Sequence, residues 1–404
     1  MSNKDKSFLP SAGLEYAIDL LRQVRLKPSE IPESFPDVGI GEFETLELLA
    51  PHVIDGAARL DAPNALAHMD PPTPWITWAT ALWNARLNQN LLHQATAPFA
   101  IEAEKLVIDW LTPFFGMDGG HMCSGSTIAN LTAIWAARDA KGVKKVIASE
   151  AAHLSIKKAA RILRLPYEEI PVNKHGQLDP EHIGDVANAC LVLTAGTTST
   201  GEIDPLELAG HAKWTHVDAA WGGPLRLSPT HSHLLEGIDS ADSIAVSAHK
   251  WLFQPKDSAL IMFRDHELVN AAISFGGGYL ANPNIGVQGS RGAAAIPLFA
   301  TLLAWGRTGI VDRIDRTMSM AQQLAEKLNM EESISLWATP KTGITVFRPF
   351  TTATEDLHRR LPEGMLSTCI IQNEYWLRSV AANPLADIDE IFSTIREVIK
   401  SINA

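Results

Sequence analysis

Between residues 100 and 263, short β-rich runs alternate with stretches of helical period, and this alternation restricts the possible fold more than any other feature. Residues 101–111 carry Leu106, Val107, Trp110 and Leu111 on one helical side, and residues 128–137 carry Ile128, Leu131, Ile134 and Trp135 at the same kind of spacing. β-Rich runs follow at 145–148, 190–194, 214–217, 244–246 and 259–263, and amphipathic stretches at 154–163 and 206–213 separate several of them. Strands alternating with helices predict an α/β chain with a mostly parallel central sheet covered on both faces. Ligands of such sheets bind beyond the carboxyl ends of the strands. The residues directly after each run are therefore where chemistry is expected.

After residue 305 the pattern changes. Residues 311–328 read as a long helix, 344–347 and 376–380 as short strands, and 387–402 as a helix with Ile388, Ile391, Ile395, Val398 and Ile399 on its apolar side. The expected organisation is an N-terminal arm at 1–60, a large domain at 61–305 and a smaller α+β domain at 306–404. The arm reads as one amphipathic helix at 14–24 among proline-punctuated loops. With 46% hydrophobic and 20% charged residues, the 404-residue chain has the means for a substantial core. A net charge of −12 argues against nucleic acid or an anionic membrane as a partner. The opening MSNKDKSFLP lacks a basic-then-apolar layout, and the apolar run at 294–305 is too short for a span. Cys123, Cys190 and Cys369 are scattered and odd in number, which points to a reducing compartment and to neither a disulfide framework nor a zinc or other metal site. The expectation is a soluble cytoplasmic protein.

One strand end carries a lysine in apolar company: His249-Lys250 stands between Ser243-Ile244-Ala245-Val246 and Trp251-Leu252-Phe253. Such a lysine either lies on the surface after its strand or offers a desolvated amine as a nucleophile. Cys123-Ser124-Gly125-Ser126-Thr127, before the helix at 128, can hold an anion or simply cap that helix. The run Thr194-Ala195-Gly196-Thr197-Thr198-Ser199-Thr200-Gly201-Glu202 nearly matches a nucleotide-binding loop, but Glu202 stands where the lysine belongs and would repel phosphate. No dinucleotide fingerprint follows a strand, and Gly276-Gly277-Gly278 reads as a turn. Asp218 ends a buried run and is costly there unless it meets a cation, a protonated nitrogen or the amides of a helix start. Ala219, Ala220, Gly222 and Gly223 leave room beside it for something flat. His153 follows another strand and is either a ligand of this site or an ordinary half-buried histidine. Together these ends offer a phosphate cradle, a buried carboxylate, a planar ring and an amine, the inventory that pyridoxal phosphate requires.

These residues resemble the group II pyridoxal-phosphate-dependent amino-acid decarboxylases, the family of aromatic-amino-acid, glutamate and diaminobutyrate decarboxylases, over roughly residues 68–395. The most specific pieces are His216-Val217-Asp218-Ala219-Ala220-Trp221-Gly222-Gly223 and Ser247-Ala248-His249-Lys250-Trp251-Leu252. Weaker ones are Gly125-Ser126-Thr127-Ile128-Ala129-Asn130-Leu131 and Gly289-Ser290-Arg291. The resemblance implies fold type I of the pyridoxal-phosphate enzymes, the aspartate aminotransferase architecture, in a homodimer with its site at the interface. It implies decarboxylation of an L-amino acid to the amine and carbon dioxide. Lys250 would bond the cofactor, Asp218 would pair with the ring nitrogen, His153 would stack on the ring and Ala220 would pack beneath it. Ser126, Thr127 and His249 would hold the phosphate, Thr198 would lie close to the cofactor, and Ser290 would reach the neighbour's phosphate. Arg378 would meet the substrate carboxylate, which suits a guanidinium fork.

The chain departs from the family pattern in two places. Ile128 stands where a glutamate is frequent. In place of a long loop bearing a proton-donating tyrosine, only residues 280–288 separate Tyr279 from Gly289, and none of them is tyrosine. The layout resembles the family's shorter members. Tyr279, Tyr375 and His153 stay open as proton donors, and Asn88 and Tyr279 as substrate contacts, the segments 68–72 and 88–90 looking like the family's substrate-access region of the diaminobutyrate type. The short loop keeps two alternatives open: an aldehyde-forming decarboxylase-oxidase or carbon–carbon lyase using the same cofactor, and a cofactor-holding protein without turnover.

Overall fold

The computed structural model describes residues 12–22, 28, 30–278, 280 and 283–403. They divide into two compact units, Met1–Arg59 and Leu60–Ala404. The first holds two helices, α1 (Ala12–Arg22) and α2 (Glu42–Val53), joined by a hydrogen bond from the Tyr16 hydroxyl to Glu47 Oε1 at 2.9 Å. The second helix corrects the single-helix expectation for this region. Its prolines misled the reading: Pro51 sits in its last turn, while Glu42 and Glu44 favour its positive start.

The second unit contains α3 (Trp75–Leu87), α4 (Pro98–Leu111), β1 (Gly119–Cys123), α5 (Ser126–Lys141), β2 (Lys145–Ser149), α6 (Leu154–Ile162) and β3 (Tyr167–Ile170). Next come β4 (Ala189–Thr194), β5 (Trp214–Asp218), β6 (Ser243–Val246), β7 (Ala259–Phe263), α7 (His266–Ile273), β8 (Ser274–Phe275) and β9 (Asn284–Ile285). These strands, β8 and β9 excepted, form one sheet in the order β1-β7-β6-β5-β4-β2-β3. The pairings from β3 through β6 are parallel, whereas β7 runs antiparallel to both β6 and β1. β1 therefore points the same way as β6, and the carboxyl ends of β1, β2, β4, β5 and β6 share one edge.

Burial explains why those strands were legible. β4, β5, β6 and β7 are buried along their whole length, as expected of strands covered on both faces. β1, Gly-Gly-His-Met-Cys, has no β-branched residue and gave no such signal. The expected amphipathic stretch at 206–213 is only a single turn, Leu206–Leu208, bracketed by Pro205 and by Gly210 at φ 81°. The chain leaves helical geometry at Ala209 and turns at Gly210 before a helix can propagate.

The remainder comprises α8 (Ala295–Asn329), β10 (Ile334–Leu336), β11 (Ile344–Pro349), α9 (Thr354–Arg360), β12 (Ser367–Ile371), β13 (Glu374–Val380) and α10 (Ile388–Asn403). A second, antiparallel sheet runs β10-β11-β13-β12. α8 is interrupted at Gly306, whose φ of 60° and ψ of −177° are not helical. Among the described residues no helix is long and apolar enough to cross a membrane.

Candidate active site

The turn after β6 holds the lysine. The Lys250 amide donates to the Ser247 carbonyl at 3.3 Å, and the Lys250 carbonyl accepts from the Phe253 amide at 2.9 Å. Trp251 directs its ring into the core, stacked on Trp221 with centroids 4.2 Å apart. The Trp221 indole N–H is tied to the Thr342 carbonyl at 2.7 Å, so the turn rests on a floor reaching the second sheet's connection. No hydrogen bond engages the Lys250 amine among the described residues. Burial, more than any charge, pushes its pKa below the ordinary 10.5; Lys256 and Arg378 act the same way, and Asp218 and Asp70 oppose them. A neutral amine, the nucleophilic form, is thereby favoured.

Asp218 ends β5 beside that turn and is buried. Its Oδ1 accepts from the Ala220 amide at 3.1 Å and its Oδ2 from Asn130 Nδ2 at 2.8 Å. His153, after β2, caps α6: its Nδ1 accepts from the Ser155 amide at 3.2 Å. Burial lowers the His153 pKa, Asp218 raises it and Lys250 lowers it.

The turn after β1 leads into α5. The cap of α5 is Gly125, at φ 151°, with no side-chain capping bond. Ser126 and Thr127 are the first two helical residues, and their hydroxyls make no hydrogen bond among the described residues. The Ser126 and Thr127 amides likewise make no hydrogen bond among the described residues, so hydroxyls and amides together suit an anion. His249 lies against this turn: a Cβ on Gly125 would sit 3.8 Å from its Cε1. Its Nδ1 is buried without a partner, as is Ser247 Oγ. Burial, helped by Lys256 and Lys250, lowers the His249 pKa to about 4. Orphaned polar atoms are costly unless something meets them. These groups fit a phosphate ester.

Arg378, on β13, donates from Nε to Ser367 Oγ at 3.0 Å, from one terminal nitrogen to the Thr198 carbonyl at 2.7 Å and from the other to the Ala67 carbonyl at 3.2 Å. No carboxylate pairs with it among the described residues, and two of its five N–H groups stay uncommitted. Thr198 is exposed and enters this cluster through its carbonyl. Ser290 is exposed and its Oγ accepts from Asn90 Nδ2 at 3.2 Å. The next residue, Arg291, is clamped onto buried Glu104 through both terminal nitrogens, and Glu104 also accepts from the Met122 amide of β1 at 3.2 Å. Asn88 is an exposed left-handed cap closing α3, φ 44°, with no hydrogen bond to the Lys250 cluster among the described residues. Tyr375 falls on the face of β13 opposite Arg378 by strand alternation. Tyr279 lies outside the described residues.

The family model for the pyridoxal-dependent decarboxylase conserved domain matches residues 25–349. The chain belongs to that family. It is a pyridoxal-phosphate-dependent amino-acid decarboxylase, a carboxy-lyase of fold type I. An L-2,4-diaminobutyrate decarboxylase of Rhizobium meliloti is 31% identical over 354 residues, 78% of this chain and 71% of that one. An aspartate 1-decarboxylase of Aliivibrio fischeri is 29% identical over 387 residues, 79% and 71% of the two chains. In fold, this decarboxylase is similar to Oryza sativa TDC, solved with PLP and tryptamine, with a TM-score of 0.87 at 22% identity over 99% of both chains.

Sequence reasoning missed several residues around the decarboxylase's site: Asn130, Ser155, Gln288, Lys256 and Asp70. Lys256 is ion-paired with Asp70, and Gln288 Oε1 accepts from the Ser124 amide at 3.0 Å. Asn130 carried a usable signal, being a polar residue among the small residues Ala129, Thr132 and Ala133 of α5, all of them buried.

Proposed function

We propose that this decarboxylase converts an L-amino acid to its amine and carbon dioxide on a cofactor bonded to Lys250, as a cytoplasmic homodimer. The observation that carries the reading is the desolvated Lys250 amine, which has no hydrogen bond among the described residues, within electrostatic reach of buried Asp218 and of Arg378, which has no carboxylate partner among them. Bound pyridoxal phosphate supplies the electron sink for the pair left when the substrate carboxylate departs. Ser126, Thr127 and His249 would hold the phosphate at the start of α5. Asp218 would keep a proton on the ring nitrogen, His153 would cover one ring face, and Ala220 would leave room for the ring. Thr198 lies at the rim beside Arg378, which takes the substrate's anionic group with its spare N–H pair.

α3 supports the dimer. Trp75, Trp78 and Trp83 are 70%, 58% and 59% exposed, and Leu82 and Leu87 are exposed with them. A helix apolar on this scale needs a cover, and a second copy supplies one. Ser290, held out by the Arg291–Glu104 clamp, then reaches the neighbouring site. The three free cysteines accord with a reducing compartment. The same proposal divides the chain into an arm at 1–60, a large domain at 61–305 and a small one at 306–404, the break of α8 at Gly306 marking the junction.

The test is a screen of L-amino acids, including aspartate, 2,4-diaminobutyrate and the aromatic ones, with carbon dioxide, amine and oxygen followed together. One amine per carbon dioxide without oxygen uptake is expected. Oxygen consumed in step with carbon dioxide would identify an aldehyde-forming enzyme, an outcome to which a 280–288 segment without tyrosine gives weight. No product from any amino acid would leave a cofactor-holding protein. Arg378→Lys is expected to raise KM for the true substrate about 10–100-fold with a smaller change in kcat, since a hydrogen bond to a charged group contributes about 1.5–3 kcal/mol.

A further inference from the structure

A buried polar chain runs beneath the site and connects Asp218 to His153. Asn130 on α5, Ser155 on α6, His216 on β5 and Ser243 on β6 are its members, and all are buried. Asn130 Nδ2 lies 2.8 Å from Asp218 Oδ2 and 3.0 Å from Ser155 Oγ, while Asn130 Oδ1 lies 2.9 Å from His216 Nε2. His216 Nδ1 lies 2.9 Å from Ser243 Oγ, which also accepts from the Trp214 indole at 2.9 Å. Ser155 Oγ lies 2.8 Å from His153 Nδ1.

Donor and acceptor rules fix the protons along this chain. An ionised Asp218 only accepts, so the NH₂ of Asn130 must face it, and its second N–H goes to Ser155 Oγ. Asn130 Oδ1 then faces His216 Nε2, which must carry hydrogen. Burial lowers the His216 pKa to about 4, and its Nδ1 lies 2.9 Å from the Ser243 hydroxyl and 3.2 Å from the Ser243 carbonyl. At the other end, the Ser155 amide can only donate, and it points at His153 Nδ1 from 3.2 Å. With Asn130 donating to its oxygen, the Ser155 hydroxyl has its own hydrogen free for the same Nδ1. A proton on Nδ1 would face the Ser155 amide, which has no lone pair to receive it.

We infer that Asn130 and Ser155 fix His153 as a neutral imidazole protonated on Nε2, and that the same asparagine sets the direction of Asp218. Both are positioning residues: a single buried amide orients the carboxylate at one side of the cofactor site and, through Ser155, the ring at the other. A His153 held this way is a hydrogen-bond donor and a poor proton source. The acid that protonates the product carbon lies elsewhere. This inference rests on reading His153 and Asp218 as cofactor neighbours.

Histidine tautomers can be read directly by ¹⁵N–¹H correlation of the ¹⁵N-histidine-labelled holoenzyme, with His153 identified through His153→Gln. The expected wild-type result is a single Nε2–H tautomer whose titration midpoint lies below the ordinary 6.5. Burial and Lys250 favour that neutrality, and Asp218 opposes it. Ser155→Ala removes the hydroxyl donor, so the midpoint should rise toward the ordinary 6.5, whereas Ser155→Thr should behave as wild type. Asn130→Ala should also raise the dissociation constant of pyridoxal phosphate about tenfold or more. An Nδ1–H tautomer, a wild-type His153 titrating at the ordinary value, or a Ser155→Ala signal that does not move would each overturn the inference. An unchanged cofactor affinity in Asn130→Ala would overturn its Asp218 half. The tautomer is read from the protein and not from turnover, so it stands or falls separately from the reaction proposed above.

Discussion

Lys250→Ala is expected to leave a folded protein to which the cofactor cannot be fixed by borohydride, with turnover lowered by about 10²–10⁴-fold, the range for losing a positioned proton-transfer group. The fold should survive because backbone groups make the turn: the Lys250 amide and carbonyl bond to Ser247 and Phe253, and the Trp251–Trp221 stack supports it from below. The amine itself contributes no hydrogen bond among the described residues, and burying it carries a desolvation cost that alanine removes. Borohydride reduction followed by peptide mapping, with circular dichroism as the control for folding, decides the matter. A label on any lysine other than Lys250, or a label persisting in Lys250→Ala, would refute the attachment site.

Asp218→Asn is expected to keep the cofactor fixable on Lys250 while turnover falls about 10²–10³-fold, the cost typical of removing one preorganised electrostatic group from a water-excluded site. An amide cannot hold a proton on a ring nitrogen as a carboxylate does. The substitution has a second effect. Both existing partners of Asp218, the Ala220 amide and Asn130 Nδ2, are donors, and the new NH₂ must face one of them. Stability should therefore drop by about 1–3 kcal/mol, measurable by urea unfolding of the cofactor-free protein. Turnover near wild type would reduce Asp218 to a cap for the Ala220 turn.

Much of the candidate site was legible along the chain because each strand places its polar residues at its own end. Asp218 follows a continuous buried run, His153 and Thr198 come directly after β2 and β4, and Lys250 sits between two apolar segments. Asn88, whose sequence neighbourhood suggested a substrate contact, closes α3 with its backbone in the left-handed region. The reading of 206–213 as amphipathic failed because a period says nothing about whether Pro205 and Gly210 permit a helix to start and continue. The loss of a long tyrosine-bearing loop was visible by counting residues, but the docking of Gln288 onto the Ser124 amide was not.

Sequence alone determined the α/β class and the family resemblance and singled out Lys250 and Asp218 as candidates, since hydrophobic period and strand-end residues are local properties of the chain. Tertiary structure decided which polar groups meet. Asn130 and Asp218 stand 88 positions apart, and Arg378 and Thr198 180 apart. Nothing in either neighbourhood announces its partner. A buried donor is tolerated only where the fold delivers an acceptor within hydrogen-bond distance, and that match is made by the packing of α5 against β5 and of β13 beside the turn after β4.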